Sequence, residues 1–194
     1  MDAHQQQKLQ QLYQQFQAFD AEQSNRLARY RNIEPESGQF LAMLITLQQS
    51  KRVLEIGTST GYSTLWLADA LKSTHGQMVT LELDAIRSQQ AQGYAEQFAL
   101  ADRIEFWVGD AQQYLQHCSA SFDFILLDAE RDAYVAYWSD LKRLLSEKSA
   151  VLLVDNVLSH ATEVKDFIEL IQQENQYRLS IVPMGAGLLM VCQA

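Results

Sequence analysis

The rhythm of apolar positions along the chain changes once, near residue 50. Before that point Leu9, Leu12, Tyr13, Phe16 and Phe19 recur at three- and four-residue steps, which sets them on one stripe of a helix. Glutamines fill most of the opposite face. The apolar period favours an amphipathic helix, docked on the body or on a second subunit, over a low-complexity glutamine tract. Pro35 interrupts the pattern, and Glu36 to Gln49 restarts it with Phe40, Leu41, Leu44, Ile45 and Leu47 on a broad apolar face, a second helix. Residues 1–50 are expected to form a helical cap.

From Arg52 onward short apolar runs alternate with helix-length segments, the texture of buried parallel strands joined by crossover helices. Strands are expected at RVLEIG from Arg52, QMVTLEL from Gln77, RIEFWVG from Arg103, FDFILLD from Phe122, AVLLVDN from Ala150, YRLSIVP from Tyr177 and AGLLMVC from Ala186. Segments of helical spacing separate the first five, for example Tyr134, Tyr137, Trp138, Leu141, Leu144 and Leu145. Only Met184 and Gly185 separate the last two, too little for a crossover helix, so these two should pair antiparallel at an edge. The layout resembles the Rossmann-like α/β sheet of class I methyltransferases, seven-stranded and mostly parallel with a C-terminal antiparallel hairpin. One domain over residues 1–194, with residues 51–194 as the core, accounts for the chain.

Composition narrows the function classes. A formal net charge of −9 produces a field that repels phosphate backbones and anionic lipid surfaces, so nucleic acid and membrane are disfavoured partners. Cys118 and Cys192 form no CxxC and no zinc spacing, which suits a reducing compartment. Neither a signal-peptide pattern nor a membrane-length apolar run occurs in the sequence, and a cytoplasmic location is expected.

Candidate chemistry gathers where the strands end. VLEIGTSTGYS, Val53 to Ser63, places Gly57 and Gly61 in a strand-to-helix turn whose missing β-carbons let a ligand approach the backbone. Ser59 and Thr60 stand where a dinucleotide turn would want glycine, which weakens an NAD reading. Glu55, before the first glycine, points to a cofactor with a positive end and no pyrophosphate; S-adenosylmethionine, with its ammonium and sulfonium, fits. Glu82 closes the second strand, where a carboxylate accepts both ribose hydroxyl protons. Asp110 and Ala111 follow the third, placed to meet an adenine edge through a side-chain oxygen and a backbone N–H. Each acid also has a plainer role: Glu55 as a helix-end partner, Glu82 as a solvated strand terminus, Asp110 as an N-cap.

The fourth and fifth strands close with LDAERDAY and VDNVLSHA, so Asp128, Asp155 and Asn156 emerge at neighbouring carboxyl ends. Two carboxylates and an amide oxygen, without histidine or thiolate, make a hard-oxygen set suited to magnesium, manganese or calcium. The plainer alternative is that Asp128 caps the next helix while Asp155 and Asn156 form a turn.

VLEIGTSTGYS, LELD, VGDA, LDAERDAY, VDNVLSHA and PMGAGLLM, in this order and spacing, resemble the cation-dependent O-methyltransferase family that includes catechol and caffeoyl-CoA O-methyltransferases; IEPESGQFL, Ile33 to Leu41, resembles the segment before its first strand. The resemblance implies that Glu55, Gly57, Thr58 and Ser63 line the methionine end of S-adenosylmethionine, that Glu82 holds the ribose and that Asp110 with Ala111 holds the adenine. It implies Asp128, Asp155 and Asn156 as metal ligands, Glu130 near the cofactor and His160 at the acceptor. The implied reaction is methyl transfer to a hydroxyl of a small aromatic, catechol-like acceptor. A homodimer built partly through the N-terminal stripe is a further expectation; the same stripe as a lid is its alternative.

One position departs from the family pattern. Its catalytic lysine lies three residues after the first metal aspartate, where this chain has Arg131. A guanidinium keeps its proton at working pH and cannot act as general base. Arg131 is therefore expected to orient or stabilise a phenolate, leaving deprotonation to the metal, solvent or His160; the plainer role is a solvated helix-start residue paired with Glu130 or Asp132. Two other activities share parts of this pattern, methylation of a hydroxylated tRNA base and NAD-dependent oxidoreduction. A non-catalytic nucleotide-binding module is the third alternative.

Overall fold

The computed structural model describes residues 1–145 and 149–194. Helices α1 (Ala3–Glu22) and α2 (Pro35–Gln48) precede an alternation of β1 (Arg52–Ile56), α3 (Tyr62–Thr74), β2 (Gln77–Glu82), α4 (Ala85–Gln97), β3 (Ile104–Val108), α5 (Ala111–His117), β4 (Phe124–Leu127), α6 (Tyr134–Leu144), β5 (Val151–Val154) and α7 (Ala161–Gln172). Strands β6 (Tyr177–Val182) and β7 (Leu188–Gln193) complete a seven-stranded sheet of order β3-β2-β1-β4-β5-β7-β6. All seven expected strands are present, and the α/β class with a C-terminal antiparallel hairpin is the one read from the sequence.

Two details of that reading change. The link between the last strands runs from Pro183 to Gly187, longer than Met184 and Gly185 alone; Gly185 and Gly187 both take positive φ there. Strand β7 pairs with β5, leaving β6 at the edge and β7 as the one strand running against the others, a placement the sequence reading left open. Pro35 does not break a helix but begins one, at the first helical position, where its missing N–H costs nothing.

The central strands β1, β4 and β5 are buried along nearly their whole length, as strands covered by helices on both faces must be. Apolar side chains accordingly form two clusters, one centred on α1, α2 and α3 and the other on α6 and α7. The N-terminal stripe belongs to the first. Leu9, Leu12 and Phe16 are buried, and Phe16 meets Tyr30, Tyr62 and Tyr94 edge-on at centroid distances of 5.5, 6.5 and 5.5 Å. The stripe that motivates a dimer is therefore spent inside its own chain, and a homodimer would have to use another face. Phe16→Ala should cost about 3 to 5 kcal/mol, the scale for truncating a buried aromatic. Urea denaturation at several protein concentrations checks this: a loss well under 1 kcal/mol, or one that scales with concentration, would return the stripe to an intermolecular role.

Register places the functional edge. Ile56 of β1 pairs with Leu81 of β2 and Leu127 of β4, and Leu127 pairs with Val154 of β5. The next residues, Gly57, Glu82, Asp128 and Asp155, thus leave the sheet at one level. Glu82 pairs with Val108, so Asp110 follows close by.

Candidate active site

A cleft of about 760 Å³ opens at this carboxyl edge, the position where open parallel sheets bind ligands. Towards β2 and β3 it is lined by Glu82, Asp84, Asp110 and Ala111, in the middle by Gly57, Thr58 and Ser63, and towards β4 and β5 by Asp128, Glu130, Arg131, Asn156 and His160.

Gly57 has φ +102°, and a β-carbon there would collide with the backbone carbonyl of Asp128. Glycine is thus required for the β1 and β4 exits to lie against each other. Gly61, with φ +85°, does a different job: its β-carbon would meet that of Ala91 on α4 at 2.8 Å, so it serves the seating of α3 on α4 and does not line the cleft. Ser59 takes a left-handed conformation, φ +48°, and donates its N–H to Glu82 Oε2 at 2.7 Å. The Asp84 N–H holds Glu82 Oε1 at 3.0 Å. Both carboxylate oxygens are fixed by backbone and retain lone pairs for a ligand, so Glu82 is a positioned acceptor and not a loose strand terminus.

Glu55 lies beneath the turn, fully buried and outside the lining. Its Oε2 accepts hydrogen bonds from Thr64 and Thr80 at 2.5 and 2.6 Å, while Oε1 has no partner. Burial pushes its carboxyl up to about 7. Asp110 does cap α5, accepting from Gln112 N–H at 2.9 Å, and lines the cleft as well.

Asp128 and Asp155 face one another across Asn156, whose amide nitrogen donates to Asp128 Oδ1 at 3.1 Å and to Asp155 Oδ2 at 2.7 Å. Asn156 adopts φ +67°, a conformation asparagine tolerates better than most residues. Burial, with Asp155 next to it, raises the Asp128 carboxyl well above its usual range, and burial raises Asp155 to about 7. Asp155 Oδ1 is buried without a hydrogen-bond partner. Among the described residues no three His, Cys, Asp or Glu side chains gather at metal distance; the set is two carboxylates and one amide. These residues fit a hard divalent cation. The amide N–H groups stand between the carboxylates as a weak positive substitute, and rotating the amide by half a turn presents three oxygens.

Arg131 is buried, unlike a solvated helix-start residue, and its Nε donates to Glu163 of α7 at 2.7 Å, not to Glu130 or Asp132. His160 precedes α7 with Nδ1 at 2.8 Å from Ser159 Oγ. Burial and then the Arg131 charge lower its pKa, which keeps the imidazole neutral near pH 7.

The sequence reading missed one element of the site. Residues 26–32 cross the cleft as a strap between α1 and α2. Arg26 and Arg31 reach Glu130 at 3.3 and 2.6 Å, Arg87 of α4 holds the carbonyls of Leu27 and Arg29, and Ser59 Oγ donates to the carbonyl of Tyr30. Glu130, expected near the cofactor, is the strap's anchor. Burial opposes its ionisation, but the hydrogen bond and charges of Arg31 and Arg26 outweigh it and hold the carboxyl below its usual range. The available signal was charge: Arg26, Arg29 and Arg31 crowd into six residues of a chain that is otherwise strongly acidic.

A mostly parallel sheet with this strand order and one antiparallel strand beside β5 defines a class I methyltransferase fold. The family follows from comparison with known proteins. The O-methyltransferase family model matches residues 3–193, and the chain belongs to that family. It is 37% identical over 142 residues to a catechol O-methyltransferase of Mycobacterium tuberculosis, covering 73% of this chain and 62% of that protein. It is 34% identical over 131 residues to a catechol O-methyltransferase of Niastella koreensis, covering 66% of this chain and 58% of that protein. The chain thus spans about three fifths of the length of these curated relatives. Among solved structures, an O-methyltransferase from Bacillus cereus in complex with SAH superposes with a TM-score of 0.80 at 28% identity, covering 96% of this chain and 90% of that one. No helix among the described residues is long and apolar enough to cross a membrane.

Proposed function

We propose that this chain is an S-adenosylmethionine-dependent, divalent-cation-dependent O-methyltransferase acting on a hydroxyl of a small aromatic, catechol-like acceptor in the cytoplasm. The observation that carries the reading is the continuity of one cleft from Glu82 and Asp110 to Asp128 and Asn156, which gives a nucleoside cofactor and an oxygen nucleophile a common space.

In this reading Glu82 takes the ribose hydroxyls, Asp110 and the Ala111 N–H take the adenine, and the Gly57–Thr58 backbone with Ser63 takes the methionine end. Glu55 and Gly61 support the turn from behind. Asp128, Asp155 and Asn156 would hold the cation, which when bound supplies orientation of the acceptor oxygen and a lowered hydroxyl pKa. In-line transfer then requires only that the oxygen sit against the sulfonium methyl. Arg131 remains charged and stabilises the ionised hydroxyl; the neutral His160, or solvent, receives the proton.

Methylation of catechol with S-adenosylmethionine, with and without chelator, tests the reading directly. Absence of cofactor binding would remove it. In calorimetry Glu82→Ala should weaken the cofactor by roughly 1.5 to 3 kcal/mol, the scale of hydrogen bonds to a charged group. Unchanged affinity in that variant would overturn the assignment of the ribose site.

A further inference from the structure

The cleft draws its cations from one residue type. Five of the chain's nine arginines line it (Arg26, Arg29, Arg31, Arg87 and Arg131), and among the described residues no lysine does. Five carboxylates line it too, but three of them, Glu82, Asp84 and Asp110, lie towards β2 and β3, away from the half that Asp128 and Glu130 share with Arg26, Arg31 and Arg131. Arg29 and Arg87 are used to build the strap, donating to the carbonyls of Gln23, Leu27 and Arg29. Arg26, Arg31 and Arg131 are different: all three belong to the half of the cleft beside β4 and β5, and they have two carboxylate partners between them, Glu130 and Glu163.

Those partners leave most of the donors unspent. A guanidinium carries five N–H groups, yet Arg131 gives only Nε to Glu163, and Arg31 gives Nη2 to Glu130 while its Nε is buried with no partner. Glu130 and Glu163 are both about half exposed, so they neutralise these guanidiniums weakly. Asp128 and Asp155 do not make up the difference, because on the reading above they are committed to a cation. The field of all three arginines also reaches His160 and contributes to its lowered pKa.

We propose that the acceptor is an aromatic acid, which places its hydroxyl at Asp128 and Asn156 and its carboxylate on the guanidiniums of Arg26 and Arg31. A carboxylate matches the planar fork of arginine bidentately, and an ammonium from lysine would not offer that match. The inference rests on the proposed acceptor site but concerns a separate group on the same molecule.

The experiment uses the full chain saturated with S-adenosylhomocysteine and magnesium. Binding of 3-phenylpropanoate and of its neutral isostere 3-phenylpropanamide is followed by amide chemical shifts, since neither probe has a hydroxyl and neither depends on methyl transfer. The acid should bind about tenfold or more tightly than the amide. The double variant Arg26→Gln, Arg31→Gln should bring the two within about threefold of each other. Glu130→Gln breaks the same strap contacts but removes a competing carboxylate, so it should tighten the acid. If the arginines only hold the strap in place, both variants should weaken both probes alike. Equal affinities in the unaltered protein, or a preference that survives the double variant, overturns the inference. The dihydroxy forms of the two probes are then assayed for methylation. Acid preference without methylation of either keeps the arginine site and removes the O-methyltransferase reading.

Discussion

Removal of divalent cations should abolish methylation, and magnesium or manganese should restore it. The same removal should leave a protein whose stability falls as pH rises. Asp155 is raised to about 7 by burial, and Asp128 is raised well above its usual range by burial beside Asp155. A carboxyl with a raised pKa binds its proton more tightly in the folded state than in the unfolded chain, so the folded protein holds more protons between the ordinary aspartate range and about pH 7. Unfolding free energy therefore decreases through that window as pH rises. Cation binding requires the ionised carboxylates and relieves their repulsion. The gain in melting temperature from added manganese should accordingly be small near pH 5 and large near pH 8. Asp155→Asn separates stability from function: without cations at pH 8 it should melt above the unaltered protein, because a buried carboxylate with an unpartnered oxygen is gone, yet manganese should neither stabilise nor activate it. Full turnover in excess chelator, with no metal by elemental analysis, would exclude the cation site.

What the sequence made legible and what it hid have a common physical cause. Glu82, Asp110, Asp128 and Asp155 could be found because each follows an apolar run whose alternation with helical segments fixes a parallel sheet, and parallel register brings strand ends to one level. That information is local, and the topology carries it to the site. The strap is the opposite case. Residues 26–32 have no regular period, and Arg26 and Arg31 find Glu130 across 104 and 99 residues of chain. Nothing local specifies those pairs, so Glu130 read only as a neighbour of the cofactor. Likewise, periodicity marked the stripe of α1 as apolar but left its partner open, because a docked helix and a dimer helix bury the same face. Only the aromatic contacts of Phe16 with Tyr30, Tyr62 and Tyr94 decide it. Gly61 was read as leaving room for a ligand, and it leaves room for Ala91.

Arg131→Ala should lower kcat about 10²- to 10³-fold, the range seen when a preorganised donor to a developing oxyanion is removed. The structure gives the guanidinium the properties such a donor needs. It is buried at the cleft, held by Glu163 through Nε alone, and directs its remaining N–H groups without the freedom of a surface arginine. It keeps its proton at any working pH, so the acceptor's proton must leave by another route, to solvent or to His160. Two consequences follow for the rate. Methylation near pH 7 should track acceptor acidity, a nitrocatechol reacting faster than catechol, because the more acidic hydroxyl is already ionised when it meets the guanidinium. Arg131→Lys should preserve or improve turnover of the less acidic acceptor, since a lysine whose pKa is depressed by burial can itself take the proton. Single-turnover pH profiles divide the roles. His160→Ala should shift the acidic limb of the profile if the imidazole receives the proton, and leave it in place if solvent does. Arg131→Ala should lower the plateau without moving the limb, because a fixed charge stabilises the ionised acceptor at every pH. A plateau unchanged in Arg131→Ala, with substrate affinity also unchanged, would show that the buried guanidinium serves Glu163 and the fold alone.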